Sequence, residues 1–460
     1  NRVEIDSKQK LGIKNVYGAY AEHAGNKFAL KGNHVTLTKG DLTGSIYGGY
    51  TAGTGEVSGS VVTLNGGSVA GSVYGGYSVG GAAAGNKLTV GAVSITGNVT
   101  GGQGAGATSK NVLAFSKATI SGDVVGGYSG AADATGNELT LQNTTVGGSL
   151  TGSHANTAGA ASSTMTLTDA KIGGKLIGAF STSGAASSTM TLKNTTVGGD
   201  LIGGQGATAA GSVISLTNTQ IKGSLYGGRL ADGKASTGDA KNVLNIYDFG
   251  STAKDFLGVQ TLNFYLSEAD RGRSMLTLTA GTDKDMSTTK VGTLEFSGAQ
   301  EALRNGDAVS LVKIADGKAL KTADPLAYGT FQAKQGVTLN YNVTIEKRGA
   351  NELVARIHGA APDPQTKSLV ETQAASIAFL GSGSDLLTDV GIPAAETAAT
   401  QIADIVDTPY AGSEKKSAAA SAPLSTLGSY QLFAAQSFGS MRLKSGSYVD
   451  TKGWNLNVGY

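Results

Sequence analysis

The stretch that decides the fold is Val73-Tyr74-Gly75-Gly76-Tyr77, because copies of it recur along the first half of the chain. Val16-Tyr17-Gly18-Ala19-Tyr20 and Ile46-Tyr47-Gly48-Gly49-Tyr50 precede it. Six looser copies begin at Val99, Val124, Leu150, Leu176, Leu201 and Leu225. From Ile46 onward the copies are 24 to 27 residues apart. A repeat of this length indicates a fold built by stacking one small structural unit on the next.

Each copy lies in the same order of local patterns. A short alternating segment such as Leu139-Thr140-Leu141 comes first, then a single aliphatic residue such as Val146, then the five-residue stretch. We number the residues of that stretch anchor positions 1 to 5. Alternation with period two marks half-buried strands, and the Gly-rich tracts between them mark corners. Anchor position 1 is Val, Ile or Leu in every copy, which indicates an inward-facing stack.

Units this short cannot bury a hydrophobic face alone, so they have to coil and stack. We therefore predict an all-β fold: a right-handed parallel β-helix, or β-solenoid, with about nine Gly-rich coils in residues 1–241. At an inter-strand spacing of about 4.8 Å, nine coils give a rod of roughly 43 Å. An antiparallel sandwich also has short strands, but it does not predict one register repeated along the chain.

The composition excludes several functional classes. The 460 residues include 70 Gly and no Cys, which rules out disulfides, thiolate nucleophiles and Cys-ligated metals. The formal net charge of +2 argues against nucleic acid, which requires a basic surface. All six Pro lie after residue 320, as expected if the earlier backbone N–H groups are committed to sheets.

The repeat fades after residue 241, and four further segments are predicted. Longer strands and more charges in residues 242–360 indicate a C-terminal capping segment. Residues 361–390 are predicted to contain a linker helix, and the Ala/Ser/Thr-rich residues 391–427 a flexible linker. Residues 428–460 end in an alternation that places Trp454, Leu456, Val458 and Tyr460 on one face, as in an outer-membrane barrel strand.

Three stretches carry a resemblance to a known family. Ala378-Phe379-Leu380 followed by Gly383-Ser384-Asp385-Leu386 is similar to the helix that precedes the β-domain of autotransporters (type V). Ser445-Gly446-Ser447-Tyr448-Val449-Asp450, with Gly453 and Trp454 after it, resembles the first hairpin of that barrel. Residues 242–357 resemble the family's autochaperone segment. The resemblance implies a passenger that threads through its own C-terminal barrel and folds outside the cell.

Two expectations concern the ends of the chain. A barrel needs at least about eight strands, and this sequence supplies about two, so a truncated translocator is expected. The chain begins at Asn1 without Met, so we expect that a signal peptide was removed.

The sequence offers three weak signals of catalysis or metal binding. Gly76-Tyr77-Ser78-Val79-Gly80 matches the nucleophile-elbow pattern, but it falls at a predicted solenoid corner rather than in a strand–turn–helix. The four histidines, His23, His34, His154 and His358, do not have metal-ligand spacing. Asp41, Asp123 and Asp200 precede anchors, without the nonapeptide order of a calcium roll. We therefore predict no catalytic residue, cofactor or metal, and no enzymatic activity.

Anchor position 5 supplies the candidate binding residues. It is aromatic in most copies and predicts a ladder along one edge: Tyr20, Tyr50, Tyr77, Gln103, Tyr128, His154, Phe180, Gln205 and Arg229. We single out Tyr20, Tyr50, Tyr77 and Tyr128 as a contact stripe for glycans or proteins. The alternative is that the ladder only stabilises the stacking of coils.

These observations lead to one principal hypothesis for function. We expect an adhesin-like protein of the Gram-negative outer membrane and cell surface, which contacts proteins or glycans of host or neighbouring cells. Many weak contacts along a repetitive rod would give avidity rather than one tight pocket. Self-association of rods remains open, and binding to nucleic acid is not expected. The alternative is a spacer stalk for, or a remnant of, a protease or esterase passenger.

Overall fold

The computed structural model describes residues 1–157, 159–266, 273–296, 303–322, 330–335, 339–393, 395–397, 433–444 and 448–459. The chain divides into two compact units. The first contains residues 1–336 and 340–361, and the second contains residues 337–339 and 362–460.

The first unit is a right-handed parallel β-solenoid of about 11 turns. The anchor stretches form one parallel sheet of 12 strands, the anchor sheet. Its main strands follow one another in chain order: Asn15–Tyr17, Ser45–Tyr47, Val73–Ser78, Val99–Gly104, Val124–Ser129, Leu150–Ala155, Leu176–Ser181, Leu201–Gly206, Leu225–Leu230 and Phe256–Leu257. The short strands Tyr20–Ala21 and Tyr50–Thr51 extend it beside the first coils.

A second, 26-stranded sheet forms the opposite walls of the solenoid. Its long strands are Arg2–Leu11, His34–Leu42, Val61–Leu64, Lys87–Val90, Val112–Ser116, Ala134–Gln142, Ala161–Thr168, Ala185–Lys193, Val213–Thr217, Val243–Tyr247, Thr261–Leu266 and Lys290–Phe296. Its short strands are Ser68–Val69, Ser94–Ile95, Thr119–Ile120, Thr145–Val146, Lys171–Ile172, Thr196–Val197, Thr208–Ala209, Gln220–Ile221, Ser251–Ala253 and Leu276–Leu278. Leu30–Lys31, Val57–Ser58 and Ala83–Ala84 form a separate three-stranded sheet. A 3-10 turn lies at Gly238–Ala240.

The core lies between these sheets and consists of aliphatic stacks. The residues at anchor position 1 from Ile46 to Leu225 have no exposed surface, and the alternating residues Leu139 and Leu141 face them from the long strands. The single aliphatics, such as Val146, are also buried. Each such side chain contributes about 1.5–3 kcal/mol of burial free energy. The prediction that anchor position 1 points inward is confirmed.

From Val112–Ser116 to Val213–Thr217, two residues separate each long strand from the short strand that continues the same wall, and the first of the two forms the corner. The corner residue has a positive φ, with values of 48° at Asn143, 51° at Asp169 and 49° at Asn194. Asn and Asp tolerate this left-handed conformation better than other non-glycine residues. Asn194 also donates its side-chain N–H to Asp169 at 3.0 Å, which links neighbouring corners.

The solenoid has more coils than the repeat predicted: about 11 rather than about nine. The parallel ladder runs from Val213–Thr217 to Val243–Tyr247 and on to Thr261–Leu266. In the anchor sheet, Leu225 pairs with Phe256, although Phe256 lies outside any recognisable anchor motif. A coil requires only apolar residues at the inward positions, and these persist after the Gly-rich motif disappears.

The end of the first unit changes from parallel to antiparallel pairing. Ala308–Ile314 pairs in parallel with Leu276–Leu278 and antiparallel with Glu352–Pro362. The remaining strands of this region are Thr330–Gln335, Leu339–Arg348, and the pair Lys284–Met286 and Leu320–Thr322. Arg348 donates to Glu352 through two hydrogen bonds of 2.7 Å beside this antiparallel edge.

The second unit contains a helix at Pro364–Leu386, which continues through a π-helical turn at Leu387–Gly391. It also contains an antiparallel hairpin of Phe433–Lys444 and Tyr448–Gly459. Of the predicted flexible linker, residues 391–393 and 395–397 are helical, and the rest lies outside the described residues. Residues 445–447 of the motif that resembles the first barrel hairpin, and Tyr460, also lie outside them. The predicted barrel stays a prediction.

Within the described residues, no helix combines the length and the apolar character needed to cross a membrane.

Candidate functional site: a tyrosine surface on the anchor sheet

The outer face of the anchor sheet carries two parallel columns of side chains. Anchor positions 1 and 3 are buried in the copy that begins at Val73, whereas Tyr74 and Tyr77, at positions 2 and 5, are partly exposed. Because neighbouring strands pair in register, equivalent positions stack from coil to coil. Position 2 forms the column Tyr17, Tyr47, Tyr74, Thr100, Val125, Thr151, Ile177, Ile202 and Tyr226, and position 5 forms the predicted ladder.

Six tyrosines occupy both columns in the first three coils and form the tyrosine cluster: Tyr17, Tyr20, Tyr47, Tyr50, Tyr74 and Tyr77. Along position 2, the ring centroids of Tyr47 lie 4.9 Å from those of both Tyr17 and Tyr74, with interplanar angles of 11° and 7°. Along position 5, Tyr50 lies 5.4 Å from both Tyr20 and Tyr77, with angles of 18°.

The two columns also contact each other edge to face. The rings of Tyr47 and Tyr50 are 5.5 Å apart at 80°, and those of Tyr74 and Tyr77 are 5.3 Å apart at 89°. Each stacked or edge-to-face pair contributes about 0.5–1.5 kcal/mol beyond its buried area. The cluster is therefore a rigid array whose rings are fixed before any partner arrives.

Stacking determines which parts of the rings are accessible. Inside each column the ring faces cover one another, so a ring such as Tyr47 has both faces covered by neighbours. Tyr20, at the outer end of its column, is the most accessible of the six, with half of its surface exposed. The interior of the cluster thus presents ring edges, and free faces occur where a column ends or is interrupted.

The phenols of the cluster resist ionisation. Burial, followed by repulsion from Tyr74 and Tyr17, raises the pKa of Tyr47 to about 12. Burial and repulsion from Tyr74 also raise the pKa of Tyr77 above its usual range. Both hydroxyls are therefore protonated at neutral pH and remain hydrogen-bond donors.

This pKa shift predicts a loss of stability at high pH. The folded chain holds the Tyr47 proton up to about pH 12, whereas an unfolded tyrosine releases it near pH 10.0. The contribution of the protonated Tyr47 phenol to the free energy of unfolding is therefore complete below pH 10 and disappears as the pH rises towards 12. We expect the urea midpoint to fall across this window, and to fall less in the Tyr47→Phe variant. An equal fall in both proteins, with an ordinary phenolate absorbance titration, would contradict the shift.

The ladder continues beyond the cluster with a mixed composition. The ring of His154 lies 4.8 Å from that of Tyr128 and 4.6 Å from that of Phe180. Burial lowers the pKa of His154, so the imidazole is neutral at pH 7 and acts as an aromatic member of the stack. Farther along, the guanidinium of Arg229 lies 5.1 Å from the ring centre of Tyr226.

Comparison with models of known protein families finds no match, and comparison with curated proteins finds none either.

The structure separates the four tyrosines predicted as a contact stripe. Tyr20, Tyr50 and Tyr77 stack together, whereas Gln103 separates Tyr128 from them. Sequence reasoning missed the column of Tyr17, Tyr47 and Tyr74, which supplies half of the cluster. The signal was present as Tyr at anchor position 2 in the first three copies.

The serine of the nucleophile-elbow pattern, Ser78, forms hydrogen bonds that hold the backbone of the solenoid. Ser78 is 1% exposed, and its hydroxyl donates to the Gly55 carbonyl at 2.7 Å and accepts from the Gly81 N–H at 2.9 Å. These bonds commit the hydroxyl to joining two coils at a corner.

The aspartates and histidines singled out in the sequence lie apart from one another. Asp123 accepts from the Ser149 N–H at 2.7 Å and Asp200 from the Ser224 N–H at 2.9 Å, while Asp41 accepts from the Ser68 hydroxyl at 2.6 Å. Among the described residues there is no group of three or more His, Asp or Glu side chains that could hold a metal ion.

Proposed function

We propose that this chain is an adhesin-like passenger of a type V autotransporter, displayed on the Gram-negative cell surface. The observation that carries the proposal is the tyrosine cluster: six stacked phenols on one face of a parallel solenoid. Its partners would be proteins or glycans of host or neighbouring cells.

The chemistry of the cluster supports a binding surface. Tyrosine offers a large amphipathic contact area at low cost in conformational entropy, which explains its enrichment at interfaces. Stacking has already ordered these rings, so binding a partner costs little further side-chain entropy. A rod that repeats such contacts from coil to coil favours avidity over one tight site.

The order of the segments supports the autotransporter part of the proposal. A parallel β-solenoid comes first, the helix Pro364–Leu386 follows, and a hairpin with Trp454 on it comes last. This is the order of passenger, linker helix and first translocator strands in that family. The passenger would be secreted through the C-terminal barrel that this hairpin begins.

The test is binding of the purified full chain to cultured cells, immobilised matrix proteins and immobilised glycans. We expect binding to at least one of these surfaces, and a loss of at least about tenfold when Tyr20, Tyr50, Tyr77 and Tyr128 are all replaced by Ala. The reason is that one well-packed interface aromatic residue contributes about 2 kcal/mol, more than a tenfold change in affinity.

A matched control comes from the other sheet, where the rings of Tyr247 and Tyr265 stack at 4.6 Å. The double Ala variant at these positions removes a stacked pair away from the anchor sheet, and it should bind like the wild type. A folded wild-type chain that binds none of the three surfaces would contradict the proposal and favour a spacer stalk.

A further inference from the structure

The position 5 column is interrupted between Tyr77 and Tyr128. In-register pairing places Gln103 between them on the intervening coil. A cavity of about 170 Å³ opens at this point, lined by the two tyrosines, Gln103, Val79, Ala105 and Gly130 among others. The interruption therefore leaves a slot with an aromatic residue on either side, which we call the Gln103 slot.

The size of the slot admits one ring. Tyr77 and Tyr128 are two coils apart, about 9.6 Å at the usual strand spacing. A ring between two walls lies about 4 Å from each of them, so one ring needs about 8 Å of this distance. The gap therefore admits one puckered ring and not two. The glutamine side chain is shorter than tyrosine, so it leaves part of the gap open, where the cavity lies. The cavity is also smaller than the roughly 300–1,000 Å³ of ordinary ligand pockets, which again indicates a single ring.

The polar groups of the slot have no hydrogen-bond partner in the part of the chain that the structure describes. Among the described residues, no hydrogen bond engages the Gln103 amide or the hydroxyls of Tyr77 and Tyr128. The raised pKa of Tyr77 keeps its hydroxyl protonated. The slot thus combines two aromatic walls with an amide that both donates and accepts, together with two phenols.

We propose that the Gln103 slot binds a single pyranose ring of a carbohydrate. The C–H face of the sugar would pack on the rings of Tyr77 and Tyr128, and its hydroxyls would bond to the Gln103 amide. This inference rests on the proposed adhesin function and assigns that function a glycan subsite.

The amide favours a sugar over an aromatic side chain of a protein partner. A phenyl ring would fill the same space, but it would cover the Gln103 amide without offering it a hydrogen bond. A polar group buried without a partner costs about 1–3 kcal/mol. A pyranose avoids this cost because it carries hydroxyl groups around the ring.

The chain contains a matched position that lacks one wall of the slot. Gln205 lies in the same Gly-Gly-Gln-Gly context as Gln103, but its neighbours in the column are Phe180 and Arg229. Arg229 is engaged by Tyr226. Gln205→Tyr is therefore the control for Gln103→Tyr, which should extend the aromatic stack and fill the slot.

The experiment uses the full chain and the methyl glycosides of galactose, glucose and mannose in both anomeric forms. Saturation-transfer NMR should show saturation of the C–H protons of at least one glycoside, and calorimetric titration should give its affinity. We expect Gln103→Tyr to weaken that affinity at least tenfold, while Gln205→Tyr leaves it unchanged. Tyr128→Leu, which removes one wall, should also weaken it at least tenfold and serves if Gln103→Tyr does not fold.

The outcomes separate this inference from the proposed function. Unchanged affinity in folded Gln103→Tyr, or no saturation of any glycoside by the wild type, would overturn the sugar site. If the same wild-type protein still bound matrix proteins or cells, the adhesin proposal would stand with a protein ligand. If it bound neither sugars nor surfaces, both would fail.

Discussion

Replacing Gly126 with alanine is expected to destabilise the solenoid by about 3 kcal/mol. Gly126 occupies anchor position 3, which faces the core. A Cβ placed there would lie closer to the Gly152 carbonyl oxygen on the next coil than the sum of their van der Waals radii, and 2.6 Å from Leu139 Cδ1. The carbonyl belongs to the backbone of a paired strand, so it cannot move without disturbing the ladder.

The same restriction applies to anchor position 3 in every one of the nine copies: Gly18, Gly48, Gly75, Gly101, Gly126, Gly152, Gly178, Gly203 and Gly227. Each would place a Cβ against a carbonyl of the following coil. This explains why position 3 is always glycine, whereas position 4 also admits Ala19, Ser153 and Ala179.

Urea unfolding followed by circular dichroism measures the effect of Gly126→Ala. The control is Gly12→Ala, because a Cβ at Gly12 would meet no heavy atom within 4 Å. The control should have the midpoint of the wild type, and Gly126→Ala a clearly lower one. Equal midpoints for the two variants would show that coil spacing does not depend on this glycine.

Replacing Asn111 with alanine is the second change with a large expected effect, again about 3 kcal/mol or more. Asn111 is fully buried, and its side-chain oxygen accepts from both the backbone N–H and the side-chain amide of Asn86 at 3.0 Å. Its own amide donates to Asn137 at 2.9 Å and to the Ala83 carbonyl at 3.1 Å. Truncation leaves several of these buried groups unpaired, at about 1–3 kcal/mol each.

An exposed asparagine with a similar role provides the comparison. The side-chain oxygen of Asn98 accepts from the Asp123 N–H at 2.9 Å, at a corner open to water. Water can replace this bond, so Asn98→Ala should cost about 1 kcal/mol or less. The urea midpoints of the two variants, measured side by side, test the difference. If the urea midpoint of Asn98→Ala fell as far as that of Asn111→Ala, burial of the Asn111 side chain would not be the cause of the larger destabilisation.

The repeat was enough to predict the parallel solenoid and its inward-facing positions. Anchor position 1 and the alternating residues of each unit are determined by hydrophobic pattern, which is local in sequence. The number of coils was underestimated because the last coils keep the apolar inward residues, such as Leu244 and Phe256, but lose the Gly-rich motif. Only the strand register shows that these residues belong to the solenoid.

The candidate site was predicted only in part, for a related reason. The repeat alone aligns the tyrosines of anchor position 5, and the strand register confirms that Tyr20, Tyr50 and Tyr77 stack. The second column and its edge-to-face contacts with the first depend on the distance between positions 2 and 5 across one strand. The interruption at Gln103 appears in the sequence as a mere substitution, and it becomes a cavity only when flanking rings on both sides are in place.

By itself, the sequence determined that this chain coils into a parallel β-solenoid, which side chains form its core, and that one edge carries a ladder rich in aromatic residues. These properties follow from the period of the repeat and from hydrophobic patterning within each unit. Only the tertiary structure decided how many coils stack, which tyrosine faces are covered, and where a free slot remains. Those features depend on contacts between residues about 25 positions apart, whose spacing and orientation are set by backbone pairing between coils.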